Sequence, residues 1–153
     1  MYSHKEAYYV EELVKHVSNY KHVYTQFGSS RPYGVSFMYA GYDNVRGFQL
    51  YNSDPSGNYG SWKAHATGKG SVNAISTMKT EYVQECSVKD ALILAAKVLG
   101  KSMDTTTPNA DKFEIAILTK DENGHVIQRR VEGEELQKIL VEAKVFENND
   151  SKK

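Results

Sequence analysis

The hydrophobic period of this chain switches repeatedly between 3.6 and two residues, and that switching limits the folds open to it. Val10, Leu13, Val14, Val17, Tyr20 and Tyr24 recur at steps of three and four, lining one face of a predicted helix. Gly28, with Ser29, Ser30 and Pro32, ends that helix, since Gly suits the position after a helix and Pro cannot continue one. The period then becomes two. Val35, Phe37 and Tyr39 alternate with Ser36, Met38 and Ala40, and Gly47 to Tyr51 repeats the pattern. Tyr42-Asp43-Asn44 supplies turn chemistry between them, so this pair is predicted to form an antiparallel hairpin. Asn52 to Gly60 reads as a loop around Pro55, and Trp62 to Thr67 as a third strand.

Gly68-Lys69-Gly70-Ser71 then opens a helix running to about Tyr82, with Val72, Ile75, Met78 and Tyr82 on one side. Ser87-Val88-Lys89-Asp90 is a variant capping box starting a further helix, whose expected stripe is Val88, Leu92, Ala95 and Leu99. Pro108 falls in the following loop. Phe113, Ile115 and Ile117 alternate, Asn123-Gly124 is a tight-turn pair, and His125 to Val131 returns as the partner strand. Leu136, Ile139, Leu140 and Ala143 mark a last helix. Helix, three strands, two helices, two strands, helix is an α+β order, in which helices pack on sheet faces.

Composition narrows the function classes. Lys plus Arg and Asp plus Glu each total 19, so the formal charge is zero. Nucleic-acid binding needs a clustered cationic surplus, and a polybasic membrane anchor needs one too. No apolar run approaches the ~20 residues of a membrane helix, and MYSHKEAYY lacks the apolar core of a secretion signal. With Cys86 the only cysteine, no disulfide can form within these 153 residues, which points to a reducing compartment.

Few residues carry a chemical signal. Thr67-Gly68-Lys69-Gly70-Ser71 has the strand-to-helix setting of a phosphate loop, but Gly70 breaks the required Gly-Lys-Ser/Thr ending. A glycine-eased turn is the better reading. His4, His16, His22, His65 and His125 show no metal-ligand spacing, and Cys86 has no nearby Cys or His. Ser56 lacks the preceding glycine of a nucleophile elbow, so Asp54-Pro55-Ser56-Gly57 reads as a turn. Glu11-Glu12 and Glu134-Glu135 are adjacent on helices and point to different sides. Ten of the eleven tyrosines precede residue 60; without a basic surplus, packing accounts for them better than base stacking. The residues alone therefore point away from an enzyme.

One stretch says more. TQFGSSRPYGVSFMYAGYD, followed by GFQLYNSDPSGNYGSWKAHATGKGS, resembles the 20S proteasome alpha-subunit family, and within it the eukaryotic alpha type-4 class. The RPYGVS opening, the LYNSDPSGNY loop and the WKAHATGKGS helix start stand in the family's order and spacing, and KSMD and KFEIAILT resemble the same class. The resemblance runs from about Tyr8 to Ala143. It implies an αββα sandwich of the N-terminal nucleophile hydrolase type, as one alpha-type domain over residues 1–146 with a polar tail, 147–153. It also implies that this copy is incomplete, because the family's N-terminal helix, gating segment, first strands and regulator-gripping lysine have no counterpart here. The helix from Val10 resembles the one that packs on the beta ring. Those from Ser71 and Ser87 resemble the regulator-facing layer. The Asp54–Gly57 loop is expected to be structural.

The function implied is that of a non-catalytic alpha subunit in the seven-membered outer ring, which gates substrates for ubiquitin-dependent and -independent degradation. Its partners would be other alpha subunits, beta subunits and a regulatory particle, with no nucleic acid and no membrane. Its location would be cytoplasm and nucleus. No catalytic, cofactor-binding or metal residues and no cofactor are expected. An active hydrolase of the same fold is an alternative, but its chemistry needs a residue-one Thr, Ser or Cys with a free α-amine. Here Met1 and Tyr2 stand first, Ser3 has no visible processing signal, and Thr25 and Thr67 are internal. A Ser-His-Asp triad built on His65 would have to be assembled by folding alone. A small protein-binding module using the tyrosine-rich hairpin is the remaining alternative, and it leaves the family resemblance unexplained.

Overall fold

The computed structural model describes residues 8–28, 30–103 and 110–145. The predicted alternation is present: α1 (Val10–Gln26), β1 (Phe37–Asp43), β2 (Gly47–Ser53), β3 (Tyr59–Trp62), α2 (Ser71–Glu81), α3 (Val88–Ser102), a short 3-10 turn (Ala110–Lys112), β4 (Ile115–Lys120), β5 (Val126–Val131) and α4 (Gly133–Glu142). The chain divides into two compact units, Met1–His65 and Ala66–Lys153. The loop at Pro108 and the polar tail lie outside the described residues.

In the first unit β1, β2 and β3 form an antiparallel sheet in that order, with Tyr39 opposite Tyr51 and Tyr51 opposite Ser61. The third strand is not where the alternation placed it. It occupies Tyr59–Trp62 rather than Trp62–Thr67, and the predicted loop at 52–60 shrinks to 54–58. The reason is register. Asp54 N–H donates to Asn58 O at 2.9 Å, so the turn closes in five residues and Ser53 must face Tyr59.

The helix α1 packs on this sheet with Val14, Ser18 and Lys21, all nearly inaccessible, and with Val10 against Gly41. The periodic stripe identified the helix but not its inner face. Leu13 and Tyr20 are exposed, while a serine and a lysine are buried in their place. Apolar residues occur on two sides of α1, and periodicity cannot decide which side a sheet will cover.

The second unit has its own core. Phe113 just before β4, Ile115 and Ile117 from β4, Val131 from β5, and Leu136, Ile139, Leu140 and Ala143 from α4 and its end enclose Ala96 of α3. These strand and α4 residues are the ones the alternation and the 3.6 period select. The α3 stripe is shifted. Val88, Ala95 and Leu99 are exposed, whereas Ala96 and Val98 are buried and Leu92 is half-buried. The segment ALILAAKVLG is apolar almost all round, so its inner face is set by where a small residue lets another element approach. In α2 the buried residue is Ala74, with Val72 open to solvent. The cap at Ser87 is present: its Oγ accepts from Asp90 N–H at 3.1 Å and donates to Asp90 Oδ2 at 2.7 Å. The second hairpin turn is wider than a two-residue loop. Asp121 N–H donates to His125 O at 2.9 Å, and Gly124 supplies the positive φ of 83°.

Candidate functional site

The residues most tightly organised in the first unit fasten α1 to the sheet at both ends. At its start, no side chain from Tyr9 caps the helix. Asp43, the last residue of β1, does so instead, its Oδ2 accepting from Val10 N–H at 3.2 Å. The same carboxylate accepts from Gln49 Nε2 at 2.6 Å and from the Val45 and Arg46 N–H groups. These donors, Gln49 first, hold Asp43 below the usual carboxylate pKa. Arg46 adds an ion pair to Glu11 on the first turn of α1.

Near the other end, the Lys21 ammonium lies inside the fold. It donates to Ser53 Oγ at 3.1 Å, and it lies 5.0 Å from the centre of the Phe37 ring. Ser53 Oγ is also hydrogen-bonded to Tyr39 OH at 2.9 Å. Burial pushes the Lys21 amine down, partly opposed by the charge of Asp54. Ser18 Oγ, buried one turn earlier, has no hydrogen-bond partner among the described residues.

The Asp54-Pro55-Ser56-Gly57 segment completes the clasp. Asp54 Oδ1 accepts from Ser56 N–H at 2.8 Å and Asn58 N–H at 3.1 Å, which folds the turn tightly. Ser56 O is hydrogen-bonded to His22 Nδ1 at 3.1 Å. Gly57 has φ +85°, and a Cβ there would collide with Ser18 O and stand 2.9 Å from His22 N. Only glycine allows backbone to approach backbone this closely. The loop is a structural clasp on α1.

What the clasp presents is the outer side of α1. Tyr20, Tyr24 and Tyr33 cluster there with ring centres 4.8 to 6.1 Å apart. Leu13, Val23 and Phe27 are exposed beside or beyond them. The sheet face turned away from α1 is apolar too: Met38, Phe48 and Trp62 are each about half exposed, with Ala40, Tyr42 and Leu50 between them.

The other residues with a chemical signal are not brought together. His16 lies by the Tyr8 ring, His65 stacks on Trp62 at 4.6 Å, and His125 sits 3.4 Å from Asp121 in its own turn. His4 lies outside the described residues, as do Met1, Tyr2 and Ser3. Among the described residues there is no cluster of three or more His, Cys, Asp or Glu able to hold a metal. Gly70, in the former phosphate-loop candidate, has φ +77° and lies against Ser102 at the end of α3, so the glycines serve a turn and a close approach. Cys86 is half-buried. Glu135 is taken by a two-pronged pair with Arg129 at 2.7 and 2.8 Å, and Glu11 by Lys15 and Arg46. Sequence reasoning missed Lys21 and marked Asp43 only as a turn residue, not as the cap of α1, because both reach across more than 30 residues.

Helices with two antiparallel sheets, and a glycine-bearing turn clasping one helix, accord with an N-terminal-nucleophile-hydrolase-like α+β fold, and the family comparison gives the class: residues 1–118 match the proteasome subunit family, and the chain belongs to it. Its relatives are more particular. It is 44% identical over 142 residues to proteasome subunit alpha type-4 of Spinacia oleracea, covering 93% of this chain and 57% of the relative. It is 48% identical over 115 residues to alpha type-4-A of Arabidopsis thaliana, 75% of this chain and 46% of the relative. A probable alpha type-3 subunit of Schizosaccharomyces pombe is 46% identical over 111 residues, 72% and 45% of the two chains. The chain spans about half the length of the curated relatives it matches.

Proposed function

We propose that this chain acts as a non-catalytic structural alpha subunit of the 20S proteasome core. It contributes to the seven-membered outer ring that controls access to the proteolytic chamber, in cytoplasm and nucleus. The observation that carries this reading is the exposed apolar side of α1, held in place from both ends by the Asp43 cap and the Asp54–Gly57 clasp. An aromatic and aliphatic helix face of this kind is unusual on a monomer and suits a subunit interface. Its partner is the adjoining beta ring, with other alpha subunits at the flanks and a regulatory particle on the far side. The open apolar face of the three-stranded sheet suits the inner face of an αββα sandwich.

The mechanism is positional. Lys21, Ser53 and Tyr39 fix the helix and sheet in one register, and the clasp fixes the angle at which the helix is offered. No residue of this chain acts on a peptide bond; the complex's threonine-type hydrolysis belongs to its beta subunits. The experiment is native mass spectrometry of the chain produced with its alpha and beta neighbours, combined with a covalent N-terminal-threonine inhibitor. Incorporation into the particle, with label confined to beta chains, is the expected result. Label on this chain, or no incorporation, would overturn the reading.

A further inference from the structure

Three lysines converge on one small pocket at the C-terminal ends of α3 and α4. Lys97, Lys101 and Lys144 line a depression of about 250 Å3 together with Gly100, Ala143 and Val145. Glu81 of α2 reaches Lys97 at 2.6 Å and Lys101 at 3.4 Å, and among the described residues it alone serves both. Glu142, next to the pocket in sequence, is engaged by Lys89 at 2.9 Å. Lys144 has no ion pair among the described residues. Among the described residues, two positive charges are thus left over around a concave surface.

The backbone at Lys144 is unusual. It is left-handed, with φ 55°, at the position just past the end of α4. Its N–H donates to Val141 O at 2.9 Å and that of Val145 to Leu140 O at 3.0 Å, a helix ending that normally carries glycine. Val145 is seated on Gly100 of α3, where a Cβ would be 2.9 Å from its methyl groups, so the pocket is held by close packing. A lysine where glycine is usual adds a third ammonium to the lining of the pocket.

We propose that this pocket receives a carboxylate side chain from an acidic segment of a partner protein. Charge complementarity selects the sign of the ligand, and the backbone selects its type. Phosphate sites draw on free N–H groups and helix N-termini. Here the pocket lies at two helix C-termini, and the N–H groups of Ala143, Lys144 and Val145 are all donated within α4's own ending. Flexible ammonium groups remain, and these satisfy a singly charged carboxylate. The pocket is built from residues of the second unit alone and does not rest on the role proposed for α1.

Fluorescein-labelled hexaglutamate, titrated into the full 153-residue chain and read by anisotropy at about 50 mM salt, tests this. Wild type binds, and binding fades as salt screens the charges. Lys101→Gln and Lys144→Gly each weaken it by about two- to fivefold, the range of exposed ion pairs. Lys138→Gln, on the same helix outside the pocket, leaves it unchanged. Lys144→Gly relieves the backbone and so melts no lower than wild type, which separates lost binding from lost fold. No binding by wild type, equal binding by all variants, or displacement by inorganic phosphate as effective as by unlabelled hexaglutamate would each overturn the proposal.

Discussion

The carboxylate of Asp43 caps α1 by accepting the N–H of Val10, 33 residues earlier in the chain. A helix that lacks a cap in its own sequence is thereby started by the hairpin it packs against. Asp43→Ala removes the cap and the turn bonds together, and the melting temperature should fall by a few degrees. Asp43→Asn, which keeps an acceptor, should recover part of the loss. Because the folded Asp43 is more acidic than the unfolded one, its contribution is present above the unfolded carboxylate value and fades as pH falls through the folded one. Wild type and Asp43→Ala should therefore converge in stability toward acid, in thermal melts taken across the acid range.

Lys21 tests a buried charge. Its ammonium is desolvated, so the folded state binds fewer protons than the unfolded chain at pH values between the two lysine pKa values. Stability should then rise with pH through that window, up to about 10.4, where the unfolded amine is neutral too. Lys21→Met removes this dependence. It should cost no more than about 1 kcal/mol, because Ser53 and Tyr39 remain paired. Lys21→Glu should cost about 3 kcal/mol or more, since a buried carboxylate would have no cation partner. Urea denaturation at pH 7 and pH 9.5 measures both.

Gly57 and Gly124 share nearly the same backbone, φ 85° and 83°, but not the same surroundings. Gly124→Ala should cost about 1–2 kcal/mol, the strain of a left-handed alanine alone. Gly57→Ala carries that strain plus a collision with Ser18 and His22, and should lose at least about 2 kcal/mol and loosen the clasp. Comparable losses in chemical denaturation would show that the close approach at Gly57 contributes nothing.

Leu140 and Leu99 separate the buried from the exposed side of the second unit. Leu140 is inaccessible, while Leu99 is 44% exposed. Leu140→Ala should cost about 2–5 kcal/mol, and Leu99→Ala well under half as much. Equal losses would restore the stripe expected for α3 from its periodicity.

Val23, exposed on the outer side of α1, separates folding from assembly. Val23→Glu should leave the melting curve of the chain nearly unchanged yet exclude it from particles in competition with wild type. Quantitative mass spectrometry of particles from cells expressing both forms reads the ratio. A ratio equal to that of the free chains would remove α1 from the interface.

The sequence by itself determined the kinds and order of the elements, because side-chain periods of two and 3.6 are local properties. It also determined the family, the Ser87 cap and the inner residues of β4 and α4, which alternation and the 3.6 period pick out. Tertiary structure decided the rest. The end of β3 depends on a turn closed by Asp54, a register effect that alternation does not carry. The inner faces of α1 and α3 depend on what covers them, since both helices offer apolar residues on more than one side. Asp43 and Gly57 were legible as turn residues, but their roles against α1, and Lys21 altogether, became visible only when residues far apart in sequence met. A cap, a buried ammonium and a missing Cβ take their meaning from the group opposite, and that group is supplied by folding.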